Sequence, residues 1–92
     1  IQYLKAEKIL ELGTNAGYAA MYIGAQNPLS TVFSIESESL LWRLALSNTQ
    51  HCSLSNVKPI FGAFQEVLPA ICQEQGKFDA IIIDGDHTYK AT

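Results

Sequence analysis

The chain has 92 residues, 48% of them hydrophobic, which is enough for one small domain at most. Its net charge of −3 gives no basic footprint for nucleic acid, and no apolar run approaches the length of a membrane span. The sequence starts at Ile1 without an initiator methionine or a signal-like segment, so we expect a piece of a longer soluble protein. Cys52 and Cys72 lack metal-site spacing and are interpreted as buried or idle thiols in a reducing cytoplasm.

Apolar strands alternate with helical stretches along the chain. Strands are predicted at residues 8–12, 31–36, 57–61 and 78–84, and helices at 16–25, 38–49 and 66–75. Strands separated by helices imply right-handed crossovers, hence an α/β fold with a Rossmann-like, doubly wound parallel sheet in the order 3-2-1-4. Ser37 is the predicted N-cap of the second helix, and Gly76 the predicted end of the third. The apolar face predicted for the second helix consists of Leu40, Leu41, Leu44 and Ala45.

The fourth predicted strand contains the run Ala80-Ile81-Ile82-Ile83, which is apolar at every position. Such a run is typical of a parallel strand that is covered on both faces and has a neighbour on both edges. In the order 3-2-1-4 it would be an edge strand. We therefore expect further strands after Thr92, so that residues 1–92 form an incomplete half of one domain.

The first motif is a strand that carries Glu11 and is followed by a loop with Gly13 and Gly17. A phosphate-binding P-loop would need a lysine after the second glycine, where this chain has Tyr18. The dinucleotide fingerprint would need a glycine where this chain has Asn15. The remaining pattern, acid-x-Gly-x-x-x-Gly, places a carboxylate before the loop and favours a nucleotide-like ligand with a cationic end.

Glu36 ends the second predicted strand, 19 residues after Gly17. A carboxylate at this spacing accepts hydrogen bonds from ribose hydroxyls in nucleotide-binding sheets. The alternative is that Glu36 only favours the start of the next helix through the helix dipole. The carboxyl end of a strand is where ligands bind in such sheets, which favours the ribose interpretation.

The fourth predicted strand delivers Asp84, Asp86 and His87 together at its carboxyl end, around Gly85. Two carboxylates and an imidazole in one turn are electrostatically costly unless a cation or a proton transfer compensates. The alternative is an ordinary Asp–Gly turn. Since a turn needs neither the histidine nor the crowded acids, we interpret this segment as a site at the topological switch point of the sheet.

Together these motifs resemble the class I S-adenosylmethionine-dependent methyltransferases. The residues that carry the resemblance are Glu-Leu-Gly-x-x-x-Gly-Tyr at 11–18, Ile-Glu at 35–36, Gly-Ala-x-Gln at 62–65 and Asp-Gly-Asp-His-x-Tyr at 84–89. Within the class, the chain is most similar to the catechol-type and related bacterial O-methyltransferases. The resemblance covers residues 8–89, and the Asp-Gly-Asp-His-x-Tyr segment is its most specific element.

The resemblance implies S-adenosylmethionine as cofactor, with Glu11 near its methionine amino group and Glu36 on its ribose. The loop from Gly13 to Gly17 would lie against the methionine part and the ribose. The turn after the third strand would surround the adenine, with Phe64 near the ring. The implied cofactor-binding residues are Glu11, Gly13, Thr14, Asn15, Gly17, Tyr18, Glu36, Ser37, Ala63, Phe64, Gln65 and Asp84.

The resemblance also implies the chemistry, a methyl transfer from the sulfonium to a hydroxyl of a small molecule. Asp84 matches a carboxylate that ligates Mg²⁺ or another divalent cation in the metal-dependent members, and His87 lies where the catechol-type enzymes carry a lysine base. Asp84 and His87 are therefore the implied catalytic residues. The expected protein is cytoplasmic, without a nucleic-acid or membrane partner, and a homodimer is left open. The alternatives are a non-catalytic methyltransferase-like binding module and, less favoured, a NAD-dependent oxidoreductase.

We predict that Asp84→Asn lowers turnover far more than cofactor affinity, because the change keeps the size but weakens the attraction for a cation. His87→Ala should lower the rate and flatten its pH dependence near neutrality, since an imidazole with a pKa of about 6.5 changes charge there. Steady-state kinetics of the full-length protein across pH would measure both effects. An unaltered pH–rate profile in His87→Ala would show that the base lies elsewhere.

Overall fold

Strands and helices alternate in the computed structural model of the protein, which describes residues 7–13 and 17–83. The strands are β1 (Lys8–Leu12), β2 (Thr31–Glu36), β3 (Val57–Phe61) and β4 (Ala80–Ile83), and the helices are α1 (Tyr18–Gln26), α2 (Ser39–His51) and α3 (Phe64–Gln75). The strands pair in parallel in the order β3-β2-β1-β4. This confirms the predicted doubly wound α/β fold and its strand order.

The first three strands have the predicted bounds, because each short apolar run ends in residues that favour turns. The helices differ more. α3 begins two residues before the predicted start, at Phe64, and α1 extends to Gln26. β4 starts at Ala80, later than predicted, and its predicted last residue, Asp84, lies outside the described residues. Gly76 ends α3, as predicted.

The sheet is packed on both faces by different helices. On one face, α1 contributes Ala20 and Ile23 to a buried cluster with Ile9, Val32 and Val57 of the strands. On the other face, Ile71 of α3 packs on Leu10 and Ile35, and the rings of Phe33 and Phe78 meet edge to face at 5.6 Å. The strand residues alternate between the two clusters, as the period of a strand requires.

β4 is covered on one face only within the part of the chain that the structure describes. Ala80 and Ile82 pack against the cluster under α1, whereas the side chains of Ile81 and Ile83 are 60% and 42% exposed. These two side chains are exposed because α3 packs over β1 and β2 and leaves the outer part of β4 open. The expected further strands after Thr92 lie outside the described residues, so their cover of β4 stays a prediction.

The buried face of α2 differs from the predicted one. Leu40 and Leu44 are 70% and 45% exposed, and the buried residues are Ala45 and Thr49. The small side chain of Ala45 lies against Gly17 at the start of α1. The side of α2 that carries Ala45 therefore packs against α1, and Leu40 and Leu44 remain exposed.

The predicted N-cap at Ser37 is also wrong. α2 begins at Ser39, with Glu38 in the cap position and no side-chain cap bond. The preceding turn is held instead by the carboxylate of Glu36, which accepts the backbone N–H of Glu38 at 2.9 Å, and Ser37 is left exposed.

The side chain of Asn56, just before β3, links the end of α1 to the segment before β2 at the amino end of the sheet. Its side-chain nitrogen donates to the backbone oxygens of Gly24 and Ser30, each at 3.0 Å, and of Asn27 at 3.3 Å. Asn27 in turn donates its side-chain N–H to the Ile23 carbonyl at 2.8 Å. These bonds add to the backbone N–H of Asn27, which also donates to the Ile23 and Gly24 carbonyls, and they join the end of α1 to the segments before β2 and β3.

β3 forms the outer edge of the described sheet, and α2 covers it closely. Pro59 in the middle of β3 has no backbone N–H, and its carbonyl accepts the indole N–H of Trp42 at 3.2 Å. The Trp42 ring packs on that of Phe61 with the centroids 5.6 Å apart. At the start of the strand, the N–H of Val57 donates to the carbonyl of Leu54 at 3.1 Å.

Two further sequence expectations concern membrane-spanning helices and the state of the cysteines. Among residues 7–13 and 17–83, no helix combines the length and the apolar character needed to cross a membrane. Cys52 and Cys72 are free thiols, as expected, but both are exposed rather than buried.

The start of β1 is held by an exposed carboxylate that sequence reasoning did not assign. The same oxygen of Asp79, Oδ2, accepts the backbone N–H groups of Glu7 at 2.7 Å and Lys8 at 3.0 Å. The Asp79 N–H donates back to the Lys8 carbonyl at 2.9 Å, and the Lys8 ammonium donates to the carbonyl of Gln75. The hydrogen bond from Lys8 and then that from Glu7 lower the pKa of Asp79 below its ordinary value of 3.8.

This lowered pKa predicts an acid-sensitive contribution to stability. A carboxyl whose pKa is lower in the folded state stabilises the fold above its ordinary pKa, and the contribution is lost as the pH falls through the lowered value. Asp79→Asn should therefore melt below the wild type at neutral pH, and the two melting curves should converge in acid. Circular dichroism melts across pH would measure this, with the exposed Glu74→Gln as control. A difference that persists in acid would contradict the prediction.

Candidate functional site

Three turns meet at the carboxyl end of the sheet, and β2 holds them together. The N–H of Gly13, which follows β1, donates to the Ile35 carbonyl at 2.9 Å. The N–H of Gly62, which follows β3, donates to the Glu36 carbonyl at 3.0 Å. The last two residues of β2 therefore fix the turns on both sides of it. The predicted site residues placed on these three turns are Gly13, Gly17, Tyr18, Glu36, Ser37, Ala63, Phe64 and Gln65.

Glu36 is a nearly buried carboxylate, only 6% exposed, at the end of β2. Its Oε2 accepts the N–H of Glu38, so the side chain is held in one orientation. This contact agrees with the structural alternative considered for Glu36, because the residue does organise the approach to α2. The same bond fixes a carboxylate at the carboxyl edge of the sheet, where a hydroxyl-rich ligand would need an acceptor.

Gly17 starts α1 in a backbone conformation that only glycine adopts readily, with φ at 90°. A β-carbon on Gly17 would lie 3.0 Å from both Cα and Cβ of Ala45. The start of α1 and the middle of α2 therefore touch through two small residues. Tyr18, the next residue, is two-thirds exposed beside this contact. The absence of a side chain at Gly17 is what allows this close approach of α1 to α2.

Glu11 lies deeper than the other site residues, in the interior of β1. Its side chain is fully buried, and its Oε1 accepts a hydrogen bond of 2.6 Å from the hydroxyl of Ser34, which is also fully buried. The two residues are direct neighbours in the parallel register of β1 and β2. The carboxylate is therefore fixed behind the turn that begins at Gly13 rather than on the open surface.

The turn after β3 is close-packed against the helix that follows it. A β-carbon on Gly62 would lie 2.2 Å from Cγ2 of Val67 in α3. Ala63 takes the N-cap position, and its carbonyl accepts the N–H of Val67 at 2.8 Å. Phe64 is half-buried against the cluster under α3, and Gln65 is exposed on the first turn of the helix. The predicted contact of Phe64 with adenine stays a prediction.

Four predicted site residues lie outside the described residues, namely Thr14, Asn15, Asp84 and His87. The predicted metal ligand and the predicted base are therefore not part of the described geometry. Elsewhere in residues 7–13 and 17–83, no group of three histidine, cysteine or acidic side chains is arranged to hold a metal ion. The arrangement that is described, a fixed carboxylate among backbone amides, is suited to binding rather than to bond breaking.

Ser34 is the site residue that sequence reasoning missed. It is a single polar residue inside the apolar strand Val32-Phe33-Ser34-Ile35 and shares the strand face of Glu36, two residues on. A polar residue inside a buried strand requires a hydrogen-bond partner, so a signal was present. Its partner could be identified only from the register that pairs Ser34 with Glu11.

A family model described as a methyltransferase domain matches residues 10–92. The chain belongs to this methyltransferase family. The match covers most of the chain and includes the three turns at the carboxyl end of the sheet. It confirms the predicted resemblance to class I methyltransferases of the O-methyltransferase group.

Individual relatives agree with the family match. Over 82 residues the methyltransferase segment is 35% identical to a protein-L-isoaspartate O-methyltransferase of Koribacter versatilis, covering 89% of this chain and 34% of that protein. The O-methyltransferase of Bacillus cereus in complex with SAH has a TM-score of 0.75 at 30% identity, covering 88% of this chain and 38% of the other. The O-methyltransferase TomG of Streptomyces achromogenes in complex with SAM has a TM-score of 0.77 at 26% identity, covering 89% and 38%. The chain thus spans about a third of the length of the relatives it matches.

The contact between Gly17 and Ala45 predicts that Gly17→Ala destabilises the methyltransferase by about 1–3 kcal/mol, from the positive φ and the crowded β-carbon together. Urea unfolding would measure the loss. Ala45→Gly in the same background relieves the crowding but not the backbone strain, so a double-mutant cycle separates the two causes. Unchanged stability in Gly17→Ala would contradict the described start of α1.

Proposed function

We propose that this chain is the cofactor-binding part of one methyltransferase domain that transfers a methyl group from S-adenosylmethionine to an oxygen of a small molecule. The observation that carries the proposal is the nearly buried Glu36 carboxylate at the carboxyl end of β2, held beside the turn that starts at Gly13. The family match and the relatives crystallised with SAM or SAH support the same cofactor.

The charges and backbone amides of the residues present suit the proposed cofactor. Glu36 would accept hydrogen bonds from the ribose hydroxyls, and the amides after Gly13 and Gly17 would lie against the methionine part. The turn from Gly62 to Gln65 would border the adenine. Glu11 places negative charge behind the first turn, which suits a ligand with a cationic end.

S-adenosylmethionine, when bound, would supply an electrophilic methyl group: a bond from the acceptor oxygen to the methyl carbon forms as the carbon–sulfur bond breaks, S-adenosylhomocysteine leaves, and the hydroxyl proton passes to a base. The contribution of the described residues would be alignment, because they would hold the donor in one position for the acceptor oxygen. Glu36 and the glycine turns bind and orient. The assignments of Asp84 as cation ligand and His87 as base remain predictions from the sequence.

The main competing function is a methyltransferase-like module that binds a ligand without catalysis. Binding of S-adenosylhomocysteine is common to both functions, so methylation by the full-length protein has to separate them. The acceptor in the proposal is a small-molecule hydroxyl, since the structural relatives named above are O-methyltransferases. We further propose that the protein is cytoplasmic, in line with its two free thiols, and that a homodimer is its candidate assembly.

We predict that Glu36→Ala weakens the binding of S-adenosylhomocysteine to the full-length protein by about 1–3 kcal/mol, the range for leaving hydrogen-bonding groups unpaired. Isothermal titration calorimetry would measure the loss, with NAD as a second ligand to test the oxidoreductase alternative. The reason for the loss is removal of the acceptor for the ribose hydroxyls.

Two variants make this test specific. Glu38→Ala should bind like the wild type, because only the backbone N–H of Glu38 takes part in the described contact. Glu36→Gln keeps an oxygen for that N–H but removes the charge, so it separates the turn-holding role from ligand binding. Unchanged affinity in both Glu36 variants would rule out the ribose assignment.

A further inference from the structure

A serine hydroxyl and a carboxylate form a buried pair in the middle of the sheet. Ser34 and Glu11 are both fully buried, and the hydroxyl donates to Oε1 across a distance of 2.6 Å. This distance falls in the range of O–H···O⁻ hydrogen bonds to an ionised carboxylate, which are stronger than bonds between neutral groups. The contact therefore favours the ionised form of Glu11 and a single orientation of its side chain.

The position of the pair relates it to the proposed cofactor site. Glu11 precedes Gly13 by two residues, and the N–H of Gly13 donates to the carbonyl of Ile35, the residue after Ser34. Two successive hydrogen bonds thus join β1 and β2 just before the turn that begins at Gly13: the side-chain bond between Ser34 and Glu11, and the backbone bond between Gly13 and Ile35. Because Glu11 is fully enclosed, its charge would act on a bound ligand through space, in a medium that screens weakly.

The neighbours of Glu11 in the described part of the sheet do not titrate. In the sheet register, Glu11 lies between Ser34 of β2 and Ile82 of β4. Within residues 17–83, the titratable side chains of β2, α1 and α2 are the nearly buried Glu36 and the exposed Tyr18, Tyr22, Arg43 and His51.

We propose that Ser34 is a positioning residue for cofactor binding: its hydroxyl keeps Glu11 ionised and oriented, so that a fixed negative charge behind the β1–α1 turn favours the cationic end of S-adenosylmethionine. The inference rests on the proposed function and adds a residue that does not itself touch the ligand. It implies that affinity depends on pH through Glu11 and that Ser34 sets this dependence.

The test is calorimetric binding of S-adenosylmethionine and S-adenosylhomocysteine to the full-length protein from about pH 4 to about pH 8, a range that starts at the ordinary pKa of a glutamate, about 4.3. Ser34→Ala should lose about tenfold to a hundredfold in affinity, the equivalent of one hydrogen bond to a charged group. The pH at which affinity falls should move upward, because the buried carboxylate is then protonated more readily. The loss should be similar for the two compounds, since both carry the methionine amino group that is expected near Glu11.

Control variants separate positioning from packing. Ser30→Ala makes the same chemical change at the amino end of the sheet, at another buried serine, and should bind like the wild type. Ser34→Thr restores the hydroxyl and should recover both the affinity and the pH profile. In a Glu11→Gln background, Ser34→Ala should no longer change the pH dependence. If Ser34→Ala does not fold, Ser34→Cys keeps the shape with a weaker donor and should show the same upward shift.

The outcomes also distinguish the two proposals. A wild-type protein that binds neither compound would overturn both this inference and the proposed function. Binding by the wild type, together with an unchanged affinity and pH profile in Ser34→Ala, would overturn the positioning role alone. A loss of affinity that is equal at every pH would identify Ser34 as a packing residue and would likewise overturn the inference.

Discussion

The two hydrogen bonds accepted by the end of β2 are the contacts on which the rest of the site depends. The carbonyls of Ile35 and Glu36 receive the N–H groups of Gly13 and Gly62, so the turns on either side of β2 cannot move independently of it. In a parallel sheet, the carboxyl ends of neighbouring strands meet at one edge, but the turns that follow them need not be ordered. Here the central strand fixes them, and the side chain of Glu36 lies between the two attachment points.

The opposite end of the sheet is held by contacts of another kind. Asn56 satisfies carbonyls around the end of α1, and Asp79 collects the N–H groups at the start of β1. These polar contacts lie at the amino ends of strands, away from the turns that carry the candidate site. The contacts of Asn56 and Asp79 therefore lie at the opposite end of the strands from the candidate site.

The sequence predicted the strands better than the helices because each strand is a short apolar run with clear limits. The predicted face of α2 was right for Ala45, which packs against Gly17, and wrong for Leu40 and Leu44, which are exposed. The predicted N-cap at Ser37 was wrong because the carboxylate of Glu36, rather than the hydroxyl of Ser37, accepts the backbone N–H of Glu38 before α2. Ser34 was missed because its partner, Glu11, is 23 residues away, and only the sheet register brings the two together. A local sequence pattern predicts where a strand or helix lies. It does not predict which residues from distant parts of the chain come into contact.

The covering of β3 by Trp42 has a consequence for self-association. An exposed strand edge offers rows of N–H and C=O groups with which another chain can pair. Along β3, Pro59 offers no donor, its carbonyl is bonded to the indole of Trp42, and the N–H of Val57 is bonded to Leu54. A foreign strand therefore finds fewer partners there, which disfavours pairing along β3. An extension of the sheet would have to occur at β4, where Ile81 and Ile83 are exposed.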